Sequence, residues 1–312
     1  MQTRNEDRGV GEALGVLAAI GLVAVAVVVT YAREPVSELY NVSISGFAGG
    51  LSRAIVFLNF PAAIIAIPVA LISAGRLGGR RAAVVGAVSA GLCGVVFWPG
   101  DAVITQSDLD VRPVNAAPAA GVAIAAILTI AAWRRFGASF APRLRGDRVR
   151  LVLAASLVLG AVPWIAAEAG VSFDGIPVLG TIWQTGELRT EPGHPIPAPA
   201  VHHGHHHGMD GVLLALAALA LSRMCVPRLR LLVRAYLALM FAYGLGNAVQ
   251  DGWLEQVVKR SWTSRTIPSV LVPELSLAWA AIVFTATVIL AVSTLASRPA
   301  RSSTRQASAG PR

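Results

Sequence analysis

All six histidines of this 312-residue chain fall between positions 194 and 207. After His194 they crowd into the stretch His202-His203-Gly204-His205-His206-His207-Gly208-Met209-Asp210. Imidazole nitrogen is the commonest protein ligand for borderline transition metals, so the run points first to a metal ion such as Zn, Cu or Fe. If the run opens a helix, His202 with His206 and His203 with His207 are i,i+4 pairs on one face. If it is extended, His203, His205 and His207 share a face instead. Either geometry supplies two or three ligands and leaves the rest to a carboxylate or to water. A solvated loop that titrates near neutral pH would use the same residues as a proton sensor. The run is internal and interrupted by Gly204, which does not read as an expression tag.

Carboxylates stand near the run once the chain is read as helices. Glu168 closes the apolar stretch Trp164-Ile165-Ala166-Ala167, and Asp210 opens the next one. Both are candidates to complete a metal site or to orient an imidazole from behind. Asn59, Asn247, Gln250, Asp251 and Glu255 lie toward the same ends of their stretches and are candidate pocket residues. Polar groups at membrane depth are costly and are usually paired or functional. Asn59 and Asn247 also fit a role as hydrogen-bonding glue between helices. Asp210 also fits a first-turn position favoured by the helix dipole.

The elements that position these residues follow from composition. Hydrophobic residues make up 55% of the chain and charged residues only 14%. Mean hydropathy is +0.63. A soluble domain carries about 25% charged residues. The apolar residues come in blocks at 13–31, 54–74, 82–98, 117–133, 151–167, 211–226, 235–250 and 275–296. About 20 apolar residues cross a bilayer core as a helix, the form that satisfies every backbone group within one segment. The expected fold is therefore an all-α integral membrane protein of eight transmembrane helices. The first block exceeds a signal-peptide core and reads as a retained helix. Pro61 and Pro68 are expected to break or kink the second block.

Charge between the blocks sets the orientation. With the N-terminus inside, the outer segments keep only Arg33, Arg53, Arg112, Arg189, Lys259, Arg260 and Arg265 of the 26 Lys and Arg residues. The inner segments hold the rest, so both termini are expected in the cytoplasm. All histidines then face outward. Trp98, Trp164, Trp253 and Trp133 fall near block ends and suit interfacial anchoring. Similar loop orders suggest two tandem four-helix halves, 1–133 and 151–296. A basic cytoplasmic linker at 134–150 joins them, and a polar tail follows at 297–312. The second half carries the His-rich outer loop 169–209.

Net charge is +9, but the arginines cap apolar blocks and no aromatic–basic interleaving favours nucleic acid. Cys93 and Cys225 lie in apolar stretches and read as core residues without a disulfide framework. No phosphate-binding loop, nucleophile elbow or HExxH motif occurs. The expected protein is a multi-pass component of a bacterial inner membrane. Its first expected role is metal handling or delivery at the extracytoplasmic face. A metal-dependent enzyme acting on a lipid or periplasmic substrate uses the same residues. So does a permease, or an assembly factor whose proline-rich outer loop docks a periplasmic or membrane partner.

Overall fold

The computed structural model describes residues 10–36, 39, 42–97, 109–144, 146–171, 176–178, 188–189, 198–199, 203–224 and 226–296. The chain is built from helices, in order α1 (Gly11–Arg33), α2 (Gly46–Leu58), α3 (Pro61–Leu77), α4 (Gly79–Gly94), α5 (Ala116–Phe136), α6 (Asp147–Gly160), α7 (Val162–Glu168), α8 (His207–Leu221), α9 (Arg230–Trp253) and α10 (Leu277–Ala296). A π-helical turn, Leu254–Val258, extends α9. Leu188–Arg189 and Ala198–Pro199 pair as a short antiparallel ribbon.

Among the described residues, five helical stretches are long and apolar enough to cross a membrane, or up to seven if each bent pair is one span. The α2–α3 pair bends by 50° and the α6–α7 pair by 56°. Pro61 starts α3, where its missing N–H costs no helical hydrogen bond. The bend thus falls at Asn59–Phe60, whereas Pro68 sits inside a continuous α3. Pro163 plays the same part at the start of α7. The outward faces carry exposed apolar residues, among them Leu22 and Val25 on α1, Ile127 on α5, Leu151 on α6 and Phe284 on α10. Such faces are costly in water and fit lipid. The protein is a multi-pass membrane protein.

Helix α8 differs from the rest. It has 15 residues, fewer than the spanning helices, and exposes no large apolar side chain. It packs on α9 and also on α1, α3, α6 and α7. Residues from both proposed halves therefore share one apolar core, with Val27, Ile65, Leu128, Leu214 and Met240 all buried in it. A side chain at Gly211 would run into the Gly244 carbonyl oxygen, and one at Gly244 into backbone of Gly211 and Ala215. These two glycines bring α8 and α9 into backbone contact.

Polar groups collect at the two ends of the bundle. At the arginine-rich end, Glu12 accepts a hydrogen bond from the Ala141 N–H (2.8 Å), and Arg223 donates to the Ala141 carbonyl (2.7 Å). Between the ends, Ser73 and Thr129 join α3 to α5 (2.8 Å), and the Ser89 hydroxyl donates to the Gly121 carbonyl across α4 and α5 (2.7 Å). Cys93 is a free, buried thiol, and Cys225 lies outside the described residues. Trp133 and Trp253 are exposed, but Trp164 is not an interfacial anchor. The bend before α7 turns it inward, where it is buried against Gly208. Trp98 and the tail 297–312 lie outside the described residues.

Replacing Gly211 by Leu is expected to lower stability by about 1–3 kcal/mol or more through overpacking. Gly15→Ala, at a helical site with open space around it, is expected to be neutral or slightly stabilising. Thermal unfolding in detergent measures both, and equal melting of Gly211→Leu and wild type would refute the close contact.

Candidate functional site

The histidine segment approaches α8 as extended chain. Helix α8 starts at His207, and His206 has extended backbone (φ −122°, ψ 146°). The helical pairing of His203 with His207 therefore does not form. Gly204 has φ +105°, and a Cβ there would meet the Tyr31 hydroxyl. This left-handed step breaks strand alternation, so His203, His205 and His207 do not share one face either. The Gly204 N–H donates to the Ala167 carbonyl (2.8 Å) and the His205 N–H to the Tyr31 hydroxyl (2.9 Å). The Thr30 hydroxyl donates to the Glu168 carbonyl (2.5 Å). Backbone bonds thus tie the segment to α1 and to the end of α7.

These ties drive the His205 imidazole inside. Its Nδ1 lies 2.7 and 2.8 Å from the two Glu168 carboxylate oxygens, and its Nε2 lies 2.5 Å from Asp210 Oδ1. Phe57 meets the ring edge-on, with centroids 5.3 Å apart. All three charged side chains are buried. A neutral imidazole has one N–H and would turn a lone pair toward one carboxylate; two flanking carboxylates call for the doubly protonated ring. Burial alone would pull the His205 pKa down. The charges of Asp210 and Glu168, and the hydrogen bonds they accept, outweigh it and raise the pKa to about 9.

The other carboxylates distribute themselves among the remaining histidines. His207 Nδ1 is 3.5 Å from Asp210 Oδ2, and its side chain is 47% exposed. Glu168, His205, Asp210 and His207 therefore alternate as carboxylate, imidazole, carboxylate, imidazole. His206 Nδ1 lies 3.4 Å from Glu255, which also pairs with Lys259 at 3.2 Å. His203 Nδ1 lies 3.9 Å from Glu34. Asp251 accepts the Gly208 N–H (2.7 Å) and so places a carboxylate from α9 at the start of α8. The π turn after α9 carries Glu255 to the same end.

Not every expected pocket residue joins. Asn59 and Asn247 are buried, but each amide donates to the carbonyl four residues earlier, Ile55 and Tyr243. Gln250 is half-buried and makes none of these contacts. His194 and His202 lie outside the described residues. Among the described residues no three His, Cys, Asp or Glu side chains are grouped to hold a metal ion.

A cavity of about 60 Å³ opens beside the chain of charges. His205, His207, Asp210 and Arg53 line it, with Phe57, Phe60 and Leu271 among its apolar walls. The bend at Pro61 sets Phe60 edge-on to His207 at 5.9 Å. The Tyr243 hydroxyl donates to the Leu271 carbonyl (2.7 Å) and fixes the opposite wall. Arg53, Tyr31, Glu34 and Lys259 were not among the expected site residues. Arg53 was legible only as an arginine at the edge of an apolar block. Compared with protein-family models, curated proteins and solved structures, the chain matches none.

Because the folded pKa of His205 is raised from 6.5 to about 9, its stabilisation is complete below 6.5 and is lost as pH rises through about 9. Unfolding in detergent, followed against pH, is expected to show this loss in wild type and not in His205→Gln. Glu168→Gln, which leaves the buried imidazolium short of one partner, is expected to cost about 3–5 kcal/mol at neutral pH. A wild-type profile with no alkaline loss would contradict the charged assignment.

Proposed function

We propose that this is a bacterial inner-membrane enzyme acting on a lipid or periplasmic substrate by acid–base chemistry at its extracytoplasmic face. In this reading the chain crosses the membrane eight times with both termini inside, and α8 is the short crossing at the centre. The arginine distribution supports the orientation. The observation that carries the functional reading is His207, a half-exposed imidazole on the cavity wall with Asp210 at its Nδ1. A carboxylate behind an imidazole fixes its orientation and stabilises the proton it takes up. His207 is then the general base, Asp210 its positioning residue, and His205 with Glu168 the support that holds Asp210 in place.

Transition-metal handling is the second reading. It is supported by His203, His206 and His207, which each turn Nδ1 toward a carboxylate. Metal-ligating histidines are commonly oriented this way. A metal would draw further ligands from His202 or from water.

Two measurements on purified protein separate the readings. Mass spectrometry of membrane-lipid and periplasmic extracts incubated with the protein is expected to show one component consumed. The rate should fall by about a hundredfold to ten-thousandfold in His207→Ala. Elemental analysis is expected to find no metal whose removal stops that turnover. Stoichiometric metal, lost when His203, His206 and His207 become Ala, together with no His207-dependent turnover, would replace the enzyme reading with the metal reading.

A further inference from the structure

Arg53 sits on α2 with 4% of its surface exposed and is one of the residues that line the cavity. It lies over the Tyr31 ring at 5.8 Å and beside the Tyr31 hydroxyl, a neutral partner. Its buried Nε has no hydrogen-bond partner. Among the described residues no ion pair joins it to a carboxylate: Glu168 and Asp210 are turned to His205, and Asp210 also to His207. A buried cation without a counter-ion is expensive. Guanidinium is always charged and cannot shed its proton to relieve the cost. The counter-charge is therefore expected from whatever enters the cavity.

Charge and shape narrow the class. Asp210 also lines the cavity, but its two oxygens are turned to His205 and His207 and not to Arg53. Arg53 brings a single positive charge with an unpartnered Nε to this wall. A ligand group with a single negative charge complements it while adding least to the carboxylate charge already there. The planar guanidinium fork matches two oxygens of an oxyanion. The cavity, about 60 Å³, suits such a group and not a whole lipid. Its walls Val56, Phe57, Phe60 and Leu271 suit an apolar stem behind it. Helix α2 also presents Phe47 and Leu51 outward, six and two residues before Arg53. The cation thus stands on a helix with a lipid-compatible face.

We propose that Arg53 binds a phosphodiester monoanion in this cavity, carried by a phospholipid headgroup or by a small soluble phosphodiester. The inference rests on reading the cavity as the ligand site of the proposed enzyme, and it names the substrate class.

Native mass spectrometry of the delipidated protein in neutral detergent tests it. The lipid probe is dioleoyl phosphatidylglycerol and the soluble probe is glycerophosphoglycerol. Wild type is expected to retain one molecule of at least one probe. Arg53→Gln should weaken retention by about tenfold or more, and Arg53→Lys by less. Retention of the lipid alone assigns the headgroup source; retention of both assigns the free phosphodiester chemistry. Leu271→Trp fills the cavity from a loop while keeping the Arg53 side chain, and is expected to abolish retention in a protein that melts like wild type. Equal retention by wild type and both Arg53 variants, or retention unaffected by Leu271→Trp, overturns the proposal. If His207-dependent turnover survives such a result, only the assignment of Arg53 fails. If Arg53-dependent retention is found without turnover, only the acid–base reading fails.

Discussion

Charge taken out of water must meet opposite charge, and at the histidine-rich end of this bundle the meeting point is the His205 imidazole. Two carboxylates from different helices converge on it, Glu168 from the end of α7 and Asp210 from the first turn of α8. Each would be prohibitively costly alone in an apolar bundle. Together with a doubly protonated ring they fix where α7 stops, where α8 begins and how the segment between them enters. The Tyr31 and Ala167 contacts follow from the same demand, because the backbone beside a buried imidazole must also be satisfied. The carboxylate–imidazole sequence leaves His207 at its open end, beside the cavity.

The two bends serve this arrangement. The break before Pro61 swings Phe57 and Phe60 against His205 and His207. The break before Pro163 turns Trp164 and Glu168 over the start of α8. Straight helices through the same blocks would carry these side chains past the site. At the other end, Glu12, Arg223 and the chain near Ala141 form a second polar anchor. The apolar bundle between them holds the two polar ends in register.

The helices were legible because lipid leaves the backbone no alternative: each apolar block overlaps a helix or a bent pair among the described residues, though the block at 211–226 outruns its helix, which ends at Leu221. The bend at Pro61 was legible for the same local reason, since proline lacks the N–H that a continuous helix needs. Side-chain partners were not. The carboxylates Glu168, Asp210, Asp251 and Glu255 do gather near the histidines, as costly groups at one end of a bundle should. Their pairing, however, depends on Gly204, whose left-handed backbone reverses the face that each following histidine presents. Asn59 and Asn247 had partners in their own helices, which spacing alone does not reveal. Arg53 resembled a topology charge because sequence position does not report depth.

The level at which the charged cluster sits has its own consequence. Val29 precedes Thr30, whose hydroxyl holds Glu168; Ile165 lies one turn before Glu168; and Val249 lies beside Asp251 on α9. All three are exposed and apolar. Among the described residues, oil-facing surface on α1, α7 and α9 therefore stands beside the cluster. A molecule that reaches the cluster sideways travels in two dimensions. Occupancy then depends on its mole fraction in the leaflet and not on its molarity in water, so dilution with inert lipid would act as a competitor does in solution.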